Sequence, residues 1–363
     1  MKVYFNKTII KKTERIPFLN PILWIYEWKF SDNAWSYSEN QKLERAEKWK
    51  DLLKFSSIKE CDYVIFPKWY YIDSYAELRK EAEYAEKYWK KIIVFYHSDN
   101  ESPININNTI IFRSSLSQNS PSSEFCYPPI IEPIREKKYY NFNPGNISIW
   151  YTWYYNESSL LLEILNKLRN TYFFQKIFVP ICLKLTFFVK NSFCINPEQK
   201  KDTLYYILSQ SWKWRLIRSN VINVLKKSQF KFKLTKRESM LSPEIKWKLR
   251  DEYIKNIYSC TFPLVIRWDG NYSYRLYEVM SAWKIPLFID TDCRLPFEEE
   301  IDYKNLFIRI PYNDLENIDW YIKKYLKYNK NLNIIENKIR NTYNDYIYFP
   351  HWCEKIIDML TEI

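Results

Sequence analysis

The chain has 363 residues, enough for two domains of ordinary size, and its 47% apolar content excludes wholesale disorder. Fifty-five Lys and Arg against 43 Asp and Glu leave a net charge of +12. That surplus favours an anionic partner (a nucleotide, a nucleic acid, an acidic glycan or an anionic membrane surface) without choosing among them.

Two glycines stand where ordinary usage gives about 25, beside 32 tyrosines and runs of Lys, Asn, Ile and Phe. These are the residues of AT-rich codons, so aromatic and basic content carry little functional weight, and Gly145 and Gly270 carry more. The seven cysteines, at 61, 126, 182, 194, 260, 293 and 353, form no C-x-x-C and no Cys/His cluster. A disulfide framework or zinc site is not expected, and a reducing compartment is. Met1 to Lys7 lacks the apolar core of a signal peptide. The most apolar stretch, 173–193, is interrupted by Lys176, Pro180, Lys184 and Lys190, against a spanning helix. It reads as core or a domain-spanning helix, with docking on a membrane surface as the minority alternative. The expectation is a cytoplasmic protein, with association at the cytoplasmic face of a membrane as a variant.

In chain order, Tyr63–Phe66 reads as a buried strand and Ser74–Lys90 as a helix, with Tyr75, Leu78, Ala82, Ala85 and Trp89 on one side. Ile92–Tyr96 and Thr109–Phe112 are further strands, so the first half predicts βαβ units and a parallel sheet. Ser114–Pro144, rich in Ser, Pro and Asn, reads as a domain boundary or a long surface loop. Ile147–Trp150 predicts a strand and Ser158–Asn170 a helix, and 171–245 is assigned mostly to helices. Then follow a helix over Glu244–Tyr258, a strand over Phe262–Arg267, a helix over Ser273–Trp283, and strands over Pro286–Ile289 and Leu306–Ile310. The expected division is 1–143, 144–335, and a helical segment over 336–363 that packs back on the first domain.

The informative stretch is Arg267-Trp-Asp-Gly-Asn-Tyr-Ser-Tyr-Arg-Leu-Tyr-Glu278, where a strand ends and a helix opens. Unpaired first-turn amides and the helix dipole favour an anion there. Gly270 would allow a left-handed backbone and close approach of a phosphate, and Ser273 would cap the helix. Leu276, Val279, Met280 and Trp283 share the packing face. Arg275 and Glu278 share another face, separated along the axis by roughly 4.5 Å. The guanidinium would take a diphosphate and the carboxylate the ribose hydroxyls. The plain alternative is an ordinary βα turn with an exposed Arg–Glu pair.

That stretch, with Tyr258-Ser-Cys-Thr-Phe262 before it and Lys284-Ile-Pro-Leu-Phe-Ile-Asp-Thr-Asp-Cys-Arg-Leu-Pro-Phe297 and Ile301-Asp-Tyr-Lys304 after it, resembles the exostosin family of glycosyltransferases. Weaker echoes occur at Cys61–Pro67, Phe95–Asp99 and Ile111–Leu116, and the resemblance covers roughly 60–135 and 205–312. It implies inverting transfer of a sugar from a nucleotide diphosphate donor, usually UDP-linked, to a glycan acceptor in polysaccharide or glycoprotein glycan synthesis. It also implies two Rossmann-like domains facing across a cleft, the GT-B architecture, with no metal or other cofactor beyond the UDP-sugar co-substrate. On this chain Arg267, Asn271, Ser273 and Arg275 fall on the diphosphate side, Glu278 on the ribose side, and Asp290, Thr291 and Asp292 near the same cleft. The family usually has Gly where Trp268 stands, and again near Trp283. The alternative is an exostosin-like domain that binds a glycan or partner without catalysis.

Inverting transfer needs a base on the acceptor side. Asp99 is the first candidate and His97 the second, both following the strand that ends at Tyr96; Asp269 is the third. A cap or turn role for Asp99 is the competing reading. Arg113, at the end of another strand, is a candidate acceptor or phosphate contact, as are Arg215 and Arg237; Arg218 and Lys236 share their basic stretch, where a solvated face is the plainer role. His351 reads as packing, and Glu298–Glu300 as the acidic first turn of a helix. No nucleic-acid module is present, so nucleic acid is not an expected partner.

Overall fold

A computed structural model describes residues 1–10, 16–19, 52–101, 104–129, 131, 133–134, 147–154, 217–237, 243–268, 270–348 and 351–362. It is a mixed α/β protein with two sheets, of six and five strands, in which every paired strand runs parallel to its neighbour.

The first sheet contains β1 (Lys2–Tyr4), β2 (Lys54–Phe55), β3 (Tyr63–Ile65), β4 (Ile92–Tyr96), β5 (Thr109–Arg113) and β6 (Glu124–Cys126), ordered β2-β1-β3-β4-β5-β6. Helix α1 (Tyr75–Glu86) joins β3 to β4. β4 is buried at all five positions because both faces are covered. Ile92, Val94 and Tyr96 pack with Leu78, Ala82 and Ala85 of α1. Ile93 and Phe95 point the other way, into a core shared with Trp352, Cys353, Ile356, Ile357 and Leu360. Those residues belong to the last helix, α8 (His351–Glu362), so the end of the chain closes the first sheet.

The second sheet contains β7 (Ser148–Tyr154), β8 (Lys231–Arg237), β9 (Phe262–Val265), β10 (Leu287–Asp290) and β11 (Ile308–Pro311), ordered β11-β10-β9-β7-β8. Its helices are α2 (217–225), α3 (Pro243–Tyr258), α4 (Tyr274–Ser281), α5 (Tyr303–Leu306), α6 (Ile318–Tyr328) and α7 (Leu332–Thr342). In each sheet the first strand lies between the second and the third, so the order reverses at β1/β3 and at β7/β9. Outside the carboxyl ends at such a reversal lies the crevice where open α/β sheets take ligands.

Two expectations are corrected. The stretch 171–245 was expected to be mostly helical, yet its described part contains α2 and then strand β8, paired along all seven residues with β7. Its sequence, Lys-Phe-Lys-Leu-Thr-Lys-Arg, alternates at period two, with Lys231 and Lys233 exposed and Phe232 and Leu234 half-buried. Lysines suit β8 because it is an edge strand. Glu298–Glu300 lies in turns, and the short α5 opens only at Tyr303. The early part of the 114–144 segment belongs to the first sheet as β6. Gly145, the predicted helix over 158–170 and the apolar stretch 173–193 lie outside the described residues. Among the described residues no helix is long and apolar enough to cross a membrane.

Candidate functional site

The loops at the carboxyl ends of the two sheets meet. From the first sheet come the residues after β4 and β5; from the second come those after β9 and β10. The Gly270 amide donates to Asp99 Oδ1 at 2.9 Å, and the Asn271 amide to Ser115 Oγ at 2.7 Å. Arg267 donates to Glu101 Oε1 at 3.0 Å in a pair whose arginine is buried. Beside them Ser117 bridges Cys293 in antiparallel fashion, Gln118 donates its amide to the Asp292 carbonyl (3.0 Å), and Arg294 donates its own to Leu116 (3.0 Å).

Gly270 is required here for closeness rather than for backbone freedom. Its φ is not positive, which corrects the expected left-handed turn. A Cβ added to it would lie 2.7 Å from the Asp99 Cα, 2.7 Å from Asp99 Oδ1 and 2.9 Å from Ser115 Oγ. Backbone at that distance cannot be moved aside by rotating a side chain, so only glycine lets the loops touch.

Asn271 is the hub of the loop between β9 and α4. Its Oδ1 accepts from Thr291 Oγ1 (2.6 Å) and from Arg267 (3.4 Å), its Nδ2 donates to the Asp292 carbonyl (3.2 Å), and its own carbonyl faces Cys293 Sγ (2.8 Å). Asp292 adopts φ 59°, a left-handed turn that aspartate tolerates better than most residues. Asp290 is taken up by the Arg309 guanidinium (2.8 Å) and the Cys293 amide (2.9 Å). Asn271, Asp290, Thr291 and Asp292 therefore shape the loop pair.

His97 sits within an aromatic group. Trp69 and Tyr127 flank it from its own sheet; Tyr272 and Tyr274 reach it from the other, with centroids 5.5 to 6.3 Å away. Its Nδ1 lies 3.1 Å from the Tyr127 hydroxyl, and its Nε2 meets that of Tyr274. Burial lowers its pKa to about 4, so at neutral pH one ring nitrogen donates to a phenol and the other accepts from one. Burial also raises the Tyr272 and Tyr274 phenols, which stay protonated.

The second half of the motif turns the other way, toward the reversal point at β7/β9. Arg275 does not lie in the exposed Arg–Glu pair of the plain alternative; it is buried between the rings of Tyr151 and Tyr253. It donates to the carbonyls of Leu264 (2.7 Å) and Trp150 (3.3 Å) and to Asn256 Oδ1 (3.3 Å). β7 and β9 pair only through Ile149–Phe262 and Trp150–Pro263, and the guanidinium takes the carbonyls next to that short ladder. Glu278 receives Arg250 at 2.8 Å and the Tyr253 hydroxyl, and burial foremost raises that phenol's pKa. Arg218 donates to the Arg267 carbonyl (3.0 Å) and stacks on Trp268 with its Cζ 4.3 Å from the ring. Ser273 occupies the N-cap of α4 with extended backbone, but its side chain makes no capping bond.

Arg113 is corrected from a ligand contact to scaffold. It is 1% exposed, pairs with the buried Glu124 at 2.7 Å, and donates to the Asn100 carbonyl at 2.5 Å, which anchors the loop carrying His97 and Asp99. His351 opens α8, its Nδ1 against the Asn344 carbonyl, and Glu298 receives Arg309 and Gln118. Asp269 and Arg215 lie outside the described residues, as do the side chains of Lys236 and Arg237. Among the described residues no cluster of His, Cys, Asp and Glu could hold a metal ion. Sequence reasoning did not single out Glu101, Tyr127, Arg250, Tyr253 or Tyr274. For Arg250 and Tyr253 a signal existed: they stand three apart on the predicted 244–258 helix and so share a face. Neither the protein-family models nor the curated proteins compared with this chain match it.

Proposed function

We propose that the protein is an inverting glycosyltransferase that moves a sugar from a nucleotide diphosphate donor, UDP-linked by preference, to a glycan acceptor between two Rossmann-like domains in a GT-B arrangement. The observation that carries this reading is the charge at the β7/β9 reversal. Four guanidinium groups (Arg218, Arg250, Arg267 and Arg275) gather there, with Glu101 and Glu278 among their partners. A diphosphate at the amino end of α4 would meet these cations and the first-turn amides. Trp268 stacks on Arg218 beside that site. The resemblance of 258–304 to the exostosin family supports the same assignment.

In this mechanism the acceptor hydroxyl loses its proton to Asp99 or His97 as its oxygen attacks the anomeric carbon and the nucleoside diphosphate departs with the bonding pair. The Asp99 carboxylate already accepts a hydrogen bond from the Gly270 amide. His97, its pKa lowered to about 4, is unprotonated and ready to accept, though a weak base at neutral pH. The acceptor therefore displaces either a phenol from His97 or the loop contact from Asp99.

A thermal-shift panel of UDP, GDP, CDP and TDP on wild type and Glu278→Ala tests the donor site. A ligand at 100 times its Kd stabilises by about 2.7 kcal/mol. The expected result is a UDP-selective rise that the variant loses; silence from all four in a folded sample refutes the donor site. The engagement of Asp99 by Gly270 favours a second reading, a domain that binds without turnover. UDP binding with no transfer to any added glycan and no UDP-sugar hydrolysis would select it.

A further inference from the structure

The loop that leads into α4 presents three groups suited to an anion: the successive amides of Gly270 and Asn271, and the Arg267 guanidinium. The Trp268 amide donates to the Tyr272 carbonyl at 3.2 Å, and the turn so closed aims the two amides at the first sheet. Each of the three groups is met by a side-chain oxygen from that sheet. Asp99 Oδ1 lies on the Gly270 amide at 2.9 Å, Ser115 Oγ on that of Asn271 at 2.7 Å, and Glu101 Oε1 on the guanidinium at 3.0 Å. Two of the three oxygens belong to carboxylates, which like phosphate oxygens accept without donating.

The two carboxylates are braced by their own sheet. The Asn100 amide between them donates to Ser98 Oγ at 3.1 Å, and the Asn100 carbonyl receives the buried Arg113 at 2.5 Å. The backbone is thus fixed from behind while Asp99 and Glu101 face the second sheet. The contact is also too close to share. A methyl added at Gly270 would already lie 2.7 Å from the Asp99 Cα, so a phosphate, which is larger, does not enter between the loops while they touch.

We propose that Asp99 and Glu101 serve as a built-in anion: they fill the site at the amino end of α4, and a nucleoside diphosphate enters only by displacing them and parting the two loops. The proposal rests on the donor-site reading above and adds to it a self-inhibiting contact. Affinity for the diphosphate is then lower than the second sheet alone would give, in proportion to the fraction of molecules whose loops are apart. Loosening the contact from the first-sheet side therefore tightens binding. Losing a ligand contact or a scaffold bond does the reverse.

The test is titration calorimetry of the full chain with UDP and with inorganic pyrophosphate, for wild type, Glu101→Gln and Ser115→Ala. Glu101→Gln keeps the shape of the side chain and takes its charge from Arg267; Ser115→Ala removes the bond to the Asn271 amide and no charge. Expected are a gain in affinity of roughly fivefold or more for both ligands in Glu101→Gln and a smaller gain in Ser115→Ala. A gain in Glu101→Gln alone overturns the proposal, because removing a negative charge near the site tightens an anion without any opening of the loops. Unchanged or weaker binding in both folded variants also overturns it and leaves the loops as fixed scaffold. Should Glu101→Gln fail to fold, Ser115→Ala decides by itself. Binding of neither ligand by any of the three proteins refutes the donor site, and the built-in anion with it.

Discussion

The loop from Arg267 to Glu278 does two different jobs along its length. Gly270 and Asn271 hold the opposite sheet through their backbone amides, on Asp99 and Ser115. Arg275 and Glu278, one turn later, hold their own sheet and its helix α3 through side-chain charge, on the Leu264 and Trp150 carbonyls and on Arg250. The first contact depends on closeness, the second on satisfying buried charge. A nucleotide bound at the amino end of α4, as proposed, would touch both and so would couple donor binding to the joining of the two sheets.

The strongest way to break the first contact is from beneath. Arg113→Met leaves Glu124 buried without its partner and frees the Asn100 carbonyl, so stability in urea should fall by about 3–5 kcal/mol. Retention of wild-type stability would show that the pair is dispensable scaffold. Gly270→Ala should cost about 1–3 kcal/mol through the clash with the Asp99 backbone, and should speed hydrogen exchange at the Asn271 amide selectively. A variant as stable and as protected as wild type would mean that the two loops have room to part.

His97 sharpens the comparison through pH. Its folded pKa, about 4, lies below the usual 6.5, so the unfolded chain binds the extra proton first. The contribution is complete above pH 6.5 and is lost as pH falls toward 4; it amounts to at most about 3 kcal/mol. The groups facing it are Tyr127, Tyr272 and Tyr274, whose phenols do not titrate in that window. His97→Gln should therefore flatten the stability profile between pH 4 and 6.5, and an unchanged slope would place the acid sensitivity elsewhere. The smallest effect is expected on the second contact. Glu278→Gln keeps the shape and loses the charge on a partly exposed pair, so stability should drop by about 1 kcal/mol or less. UDP affinity should fall with it, and unchanged affinity would remove Glu278 from the donor site.

Much of this was legible in residue order. Fully apolar runs such as Ile92–Tyr96 announce strands buried on both faces, and Leu276, Val279 and Met280 at helical spacing announce the buried packing face of α4. Trp283, read as the fourth member of that face, lies past the helix end at φ 60° and is half-buried. The strand 231–237 was equally legible at period two and was obscured by its basic neighbours. Local periodicity fixes such elements because it records which side of each meets the core.

What the sequence could not show is which polar groups find each other. Spacing put Arg275 off the apolar stripe, where it was read as a diphosphate contact, yet its guanidinium turns inward to two backbone carbonyls beside a short strand ladder. Gly270 looked like a turn glycine, and only the approach of Asp99, 171 residues away in sequence, gives it its reason. Hydrogen bonds and close contacts between distant segments leave no period along the chain; they exist only once the two sheets are brought carboxyl edge to carboxyl edge.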